Sequence, residues 1–304
     1  MSVLQLPTPP EPLPPRRILA VFNPVAGGDR RASFNRVVTA LRGHGCAVTV
    51  VETTGPGHAE VIARNASANE FDVVAAAGGD GTINEVVNGL GDSGPNLGLI
   101  PLGTANVLAS EIGLSHASDK VAHALAFGRA REIRVGRANG RRFVMMAGVG
   151  FDANVVAGVS LPLKRRIGPL AYVWQSVKEA AVSRFDRCDV TINGGEYRPV
   201  SVVICNGRRY GGPFIAARNA SLYEARFKIL LMHGGGWFSV LRYGIGLLLG
   251  RVTMWRDVQV ITAQDVTVRG LTGQAIQIDG DATTTLPVHI TMDPLPVRLI
   301  HPVR

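Results

Sequence analysis

From residue 17 onward the chain alternates short apolar runs with stretches of helical periodicity. ILAVFNP (residues 18–24) reads as a buried strand ending in a turn, with a helix over 31–42 behind it. AVTVVETT (47–54) with 57–68, FDVVAAA (71–77) with 82–90, and NLGLIPL (96–102) with 104–113 repeat that unit. Strands that are apolar throughout are buried on both faces, and strands separated by helices are joined by crossovers. Residues 17–134 therefore predict an open parallel α/β domain.

Beyond residue 131 the period changes to two. DVTI (189–192), PVSVVICNG (199–207), RFKILLM (226–232), DVQVIT (257–262), DVTVRG (265–270) and AIQIDGD (275–281) alternate inward and outward positions between turn-rich pieces. That spacing predicts an antiparallel β-sandwich or barrel over 135–294. Helices interrupt it at 170–181 and across 237–249. The second is read first as a core helix of this domain and only then as an interfacial one.

Composition sharpens the picture. Apolar residues make up 46% and charged residues 18%, against a usual charged share of about 25%, which marks a chain that folds around real cores. Prolines at positions 7, 9, 10, 12, 14 and 15 make residues 1–16 an extended tail, without the basic start and apolar run of a signal peptide. No stretch reaches the ~18 consecutive apolar residues of a spanning helix. Cys46, Cys188 and Cys205 are far apart and odd in number, which argues for a reducing compartment, and the seven histidines show no zinc-ligand spacing. The protein is then expected to be soluble or peripherally bound.

The net charge is +9, and among the 32 basic residues only Lys120, Lys164, Lys178 and Lys228 are lysine. Such an excess suits a phosphate-bearing partner: a nucleotide, a nucleic acid or an anionic membrane. Nucleic acid is set aside, because no recognition helix or aromatic stacking motif accompanies the arginines. Oligomeric state is not legible.

The chemistry concentrates in FDVVAAAGGDGTINEVVNGL (71–90). A buried strand runs into Gly78, Gly79, Asp80, Gly81 and Thr82 and on into a helix. Glycines there let a backbone approach a ligand, and N–H groups at a helix start favour phosphate. The spacing is neither GxxxxGK[ST] nor GxGxxG. A carboxylate fixed in an anion site repels phosphate unless a cation or a transferred proton is involved, so Asp80 is read as a chemical residue. One strand later, PLGTAN (101–106) places Gly103, Thr104 and Asn106 at the same sheet end, with Thr104 as a candidate helix cap. Open parallel sheets bind ligands at that end.

These segments, with NPVAGG (23–28), TTGPGHA (53–59), GVGFDA (148–153), KRRIGPLAY (164–172), NGRRYGG (206–212) and IDGD (278–281), occur in an order that resembles the diacylglycerol kinase catalytic-domain lipid kinases. That family includes bacterial lipid kinases and the sphingosine and ceramide kinases. The resemblance implies an NAD kinase-like fold, with ATP in a cleft between the α/β domain and the β-rich domain, and a C-terminal segment (295–304) that returns to the first domain. It places Asn23, Thr54, Gly78, Gly79, Gly81, Thr82, Thr104, Asn106 and Arg165 at the nucleotide. Asp152 falls near the lipid head group.

By the same resemblance Asp279 is the expected general base, with Asp80 and Asp281 placing Mg²⁺ and nucleotide. In the sphingosine kinase branch that base is the aspartate of the glycine loop, here Asp80, so both assignments stand open. Phosphoryl transfer rests mainly on positioning and charge neutralisation, with a carboxylate taking the acceptor's proton. Two departures from the family pattern stand out: Glu224 and Ala225 replace an Asp-Gly pair associated with a structural Mg²⁺, and Asp281 replaces a glutamate. The resemblance implies a diacylglycerol-type or ceramide/sphingoid-type lipid as acceptor, and with it a cytoplasmic location peripheral to the inner face of the membrane.

Three other functions compete. GVGFDA matches a degenerate dinucleotide fingerprint, but residues 163–174 lack the acid that would hold a ribose. NAD kinases share GGDGT, and PLGTAN and NEVVNGL favour the lipid kinases. A catalytically inactive lipid-binding homologue has no need of Asp80, Asp279 and Asp281 together. The arginine clusters at 129–142, 164–166 and 208–209 are either solvated faces or a salt-sensitive membrane contact.

Overall fold

The computed structural model describes residues 15–26, 30–92, 94–150, 185–212, 214–270 and 274–303. Four parallel strands, β1 (Arg17–Phe22), β2 (Ala47–Glu52), β3 (Val73–Gly78) and β4 (Asn96–Pro101), open the first domain, followed by β5 (Ala130–Ile133). The strand order is β2-β1-β3-β4, then the C-terminal strand Val297–Ile300, then β5. That last strand crosses back from the second domain to lie parallel to β4 and antiparallel to β5.

The helices of this domain are α1 (Arg30–Gly43), α2 (His58–Arg64), α3 (Asp80–Gly89), α4 (Val107–Glu111) and α5 (Ser118–Phe127). Successive strand residues point to opposite faces. Leu19, Val21, Val74 and Ala76 therefore pack with residues of α2, α3 and α4. Ile18, Ala20, Phe22, Val73, Ala75 and Ala77 pack with α1 and α5. The sheet is covered on both sides, as the apolar runs require. The edge strand β2 is the exception, being largely exposed.

Chain direction reverses across the sheet between β1, which leads to β2 on one side, and β3 on the other. Such a switch point opens a crevice at the carboxyl ends of the strands. The loops after β1 and β3 flank it.

The second domain stacks two six-stranded antiparallel sheets. One contains Asp189–Ile192, Asp265–Arg269 and Val288–Met292; the other contains Met146–Gly150, Ser201–Cys205, Phe227–Met232 and Ala275–Ile278. Val190, Val266, Val268 and Ile290 from the first meet Val149, Val202, Ile204, Ile229 and Ile276 from the second in one core. Alternate residues of the second sheet, Val203, Cys205, Leu230 and Met232, form a separate outer cluster with Tyr243 and Val252. The fold is thus a parallel α/β domain followed by an antiparallel β-sandwich.

Helix α6 (Trp237–Leu248) lies on that outer face, and it corrects the expectation of a core helix. Only Tyr243 and Gly246 of α6 are buried, while Trp237, Phe238, Leu241, Ile245 and Leu248 are exposed. The helix expected at 170–181 lies outside the described residues. Among the described residues no helix is long and apolar enough to cross a membrane.

Candidate active site

The two glycine turns touch backbone to backbone. A Cβ on Gly103 would stand 2.5 Å from the Gly79 Cα, and one on Gly78 would stand 2.3 Å from the Thr82 Oγ1. The Leu102 and Gly103 N–H groups both donate to the Gly78 carbonyl, at 2.9 and 3.1 Å. Asp80 joins the turns a second time, its Oδ1 accepting the Val107 N–H at 2.7 Å. The loop after β1 closes the crevice from the other side: the Asn23 amide donates to the Thr82 hydroxyl at 3.1 Å. Asn23, Gly78, Gly79, Asp80, Gly81 and Thr82 thus gather at the switch point, with Thr82 buried. Helix α3 starts on Gly79 with no side-chain cap, so the N–H groups of its first turn are left for a ligand or water.

Thr54 and Thr104 lie in the loops after β2 and β4 and are both exposed. The Thr54 N–H and hydroxyl lie 3.0 Å from His58 Nδ1. Thr104 does not cap α4, because that helix starts on Asn106 without a side-chain cap; its hydroxyl instead accepts from Arg30 at 3.4 Å. Asn106, expected at the nucleotide, sits inside this loop. It is buried in the left-handed region (φ 46°), accepts the Gly103 N–H at 2.7 Å and donates to the Gly103 carbonyl at 2.8 Å. Its amide shapes the loop. Asp152 and Arg165 lie outside the described residues.

IDGD forms a hairpin turn in which Ile278 pairs with Asp281 across Asp279 and Gly280. Both central residues have positive φ, 50° and 88°, the form a two-residue hairpin favours and Asp-Gly tolerates. The Asp279 carboxylate is not solvated. Oδ1 accepts the Met145 and Met146 N–H groups at 2.8 and 3.1 Å, and Oδ2 accepts the Val144 N–H at 2.8 Å and the Asn84 amide at 2.9 Å. Burial holds this carboxyl above its ordinary value, and the four donors, which favour the ionised form, offset that only in part. A carboxylate offers about four lone-pair positions, so Asp279 has none left over for a substrate hydroxyl. Asp281 is the opposite case: it is exposed, and its Oδ2 would lie 2.9 Å from a Cβ placed on Gly81. The second domain therefore brings one carboxylate, Asp281, to the glycine turn and uses the other, Asp279, to hold itself in place.

The anchoring side chains were within the quoted motifs but had no role assigned. Asn84 and Asn88, one turn apart on α3, both donate to the Arg142 carbonyl, at 3.0 and 3.1 Å, and Asn88 accepts the Arg142 N–H at 2.8 Å. Buried Arg142 reaches Asp293 at 2.6 Å and the Leu90 carbonyl at 3.0 Å. Burial opposes the charge on Asp293, yet Arg142, the Leu295 N–H and Arg137 more than offset it and hold that carboxyl below its usual range. Arg142 is thus neither a solvated face nor a membrane contact, which corrects that part of the 129–142 cluster. Arg208 is likewise occupied, 2.8 Å from Glu111. Glu85 was also missed: its two oxygens accept the Gly57 and Ala59 N–H groups at 2.9 and 3.1 Å, fixing the start of α2 beside Thr54. Arg30 had no signal in the sequence, since its nearness to Thr104 arises only in the fold.

Residues 17–138 match the diacylglycerol kinase catalytic domain, and residues 145–301 match the YegS C-terminal NAD kinase beta sandwich-like domain. A diacylglycerol kinase of Bacillus subtilis is 30% identical over 280 residues, covering 90% of this chain and 92% of that protein. This chain belongs to the diacylglycerol kinase family. A crystal structure of a diacylglycerol kinase from Bacillus anthracis superposes with a TM-score of 0.76 at 22% identity, over 94% of this chain and 97% of that one, and so shares its fold. Membership makes the chain a lipid kinase with a nucleotide substrate.

Proposed function

We propose that this kinase transfers the γ-phosphoryl group of ATP to the hydroxyl of a membrane lipid, of the diacylglycerol type or the ceramide/sphingoid type, at the inner face of a membrane. The observation that carries the proposal is the placement of Asp281 against Gly81. It sets a carboxylate from the lipid-side domain beside the phosphate-side turn, where an acceptor hydroxyl and a γ-phosphoryl group would meet. Asp281 takes the proton released by the acceptor as the new P–O bond forms. Asp279 positions it through the hairpin. The sequence resemblance assigned the base to Asp279 or to Asp80; the filled lone pairs of Asp279 and the loop-bridging role of Asp80 favour Asp281 instead.

The α3 N-terminus faces the phosphates, and Arg30, held at Thr104, brings a cation to the same loops. Hard oxygen donors and an exposed carboxylate suit Mg²⁺, which binds through one or two carboxylates plus substrate phosphates. Asp80, beside Gly81, would hold it, leaving Asp281 free to take the proton, and when bound it would supply charge neutralisation on the transferred group. The name of the Bacillus subtilis relative favours diacylglycerol as acceptor.

The test is transfer of labelled γ-phosphate from ATP to diacylglycerol, ceramide, sphingosine and NAD. Asp281→Asn is expected to lower lipid labelling by about 10²-fold or more, the range of a lost general base, with the melting temperature unchanged. Asp281→Glu should retain activity. Asp279→Asn should lower activity and melting temperature together. Full activity in Asp281→Asn, or label in NAD alone, would sink the proposal.

A further inference from the structure

Helix α6 presents an apolar face to solvent. Trp237, Phe238, Leu241, Ile245 and Leu248 are 57%, 70%, 53%, 47% and 60% exposed, and Leu249, just past the helix end, is 56% exposed. At 3.6 residues per turn these six side chains fall on one arc of about 120°. The buried residues Tyr243 and Gly246 lie on the other side of the helix, against the outer face of the sheet. Met254 and Trp255, on the turn that follows, extend the apolar surface. Soluble surfaces rarely display so many large apolar side chains together unless they dock onto something.

The charges around this face name the partner. Residues 233–256 contain Arg242, Arg251 and Arg256 and no acid. The acid that follows, Asp257, is ion-paired with Arg242 and accepts the Tyr243 hydroxyl at 2.5 Å. Arg251 and Arg256 are exposed, with no ion pair among the described residues. An uncharged apolar arc edged by arginines, with tryptophans at Trp237 and Trp255, matches an interface of acyl chains below and anionic head groups above. A second copy of this +9 chain would set like charges against each other along the same rim.

We infer that α6 is the membrane-docking element: its apolar arc inserts into the head-group boundary of a bilayer containing anionic lipid, while Arg251 and Arg256 stay at the phosphates. This rests on the lipid kinase reading for its purpose but not for its physics, since docking needs neither nucleotide nor turnover. It also replaces a purely electrostatic membrane contact by one in which apolar insertion holds the protein and charge selects the surface.

The experiment uses the full chain without nucleotide, sedimented with phosphatidylcholine vesicles that contain or lack phosphatidylglycerol. Wild type should bind the anionic vesicles, and its fluorescence should be quenched by brominated acyl chains, with most of the quenching lost in Trp237→Phe. The double variant Phe238→Asp/Leu241→Asp changes only exposed positions and should lower vesicle binding by about tenfold or more. Its melting temperature and its activity on a short-chain, water-soluble diacylglycerol should stay unchanged. Wild-type vesicle binding by the double variant, or failure of brominated lipid to quench, overturns the inference. So does a wild-type dimer that the double variant converts to monomer without loss of vesicle binding. Loss of activity on the soluble substrate in wild type would instead count against the kinase reading and leave the docking result intact.

Discussion

Helix α3 begins on Gly79 with no side chain capping its first turn, whereas its other end delivers the Leu90 carbonyl to the buried guanidinium of Arg142. Both ends carry the partial charge that aligned peptide dipoles produce. The C-terminal end is satisfied from within the protein, by a residue of the second domain that is itself paired with Asp293. The N-terminal end is left to whatever enters the crevice. Between them Asn84 reaches Asp279, so one helix carries both the ligand turn and the domain attachment. The contrast separates groups that are complete from groups that await a partner. Only the second kind can do chemistry.

The sharpest way to break this comparison is at the closed end. Arg142→Ala removes the cation from buried Asp293 and from the helix terminus together. Breaking a buried pair by removing one partner costs about 3–5 kcal/mol, with Arg137, 2.8 Å from Asp293, retaining part of the interaction. Urea unfolding should therefore show a loss towards the lower end of that range, and activity should fall only as the domains lose register. The Asp293 carboxyl titrates below its usual value in the fold. Its contribution is present above the ordinary aspartate pKa of about 3.9 and is lost as pH falls through the lower folded value. Acidification should accordingly narrow the stability gap between wild type and Arg142→Ala. A gap that widened would mean that Asp293 is not held by Arg142.

At the open end the expected change in stability is smaller and the change in function larger. Gly103→Ala drives a Cβ to 2.5 Å from the Gly79 Cα, where only backbone can give way. Overpacking of this kind costs about 1–3 kcal/mol. The two glycine turns must move apart, and nucleotide KM should rise while the second domain melts as before. An unchanged KM would show that their contact does not shape the nucleotide site.

The sequence made the open end legible and hid the closed one, for a physical reason. Strand, glycine turn and helix are contiguous in Gly78 to Thr82, and alternation of strands with helices brings such turns to one sheet end. Asp279 meets its donors across 133 to 195 residues of chain, and nothing local separates a solvated hairpin acid from an anchored one. Arg142 sits in a run of arginines that includes exposed Arg129 and Arg131 as well as ion-paired Arg137 and Arg141, so composition spoke for the run and not for the residue. The closure of Asn106 on Gly103 was not legible, because an amide in a ligand loop looks alike whether it points outward or inward. For α6 the difficulty was different. WFSVLRYGIGLL has almost no polar side to mark which face turns inward, and periodicity distinguishes two faces only when their chemistry differs.

The finest probe lies where the two kinds of end meet. Glu85, half-buried on the side of α3 that faces α2, supplies the cap that α2 lacks at Gly57, which sits at φ 81° without a side-chain cap of its own. The short turn TTGPG therefore depends on α3 for its shape, and Thr54 depends on that turn for its place beside the crevice. Glu85→Ala leaves the Gly57 and Ala59 N–H groups to water, a loss of about 1 kcal/mol by analogy with other helix caps. Glu85→Gln keeps one acceptor oxygen and should lose less. If the cap acts only on α2, both variants will melt slightly earlier with nucleotide KM unchanged. If it also sets Thr54, KM will rise in Glu85→Ala and be partly restored in Glu85→Gln. That second outcome is expected, because the capped N–H groups and Thr54 belong to one turn and an N-terminus that frays carries its neighbours with it.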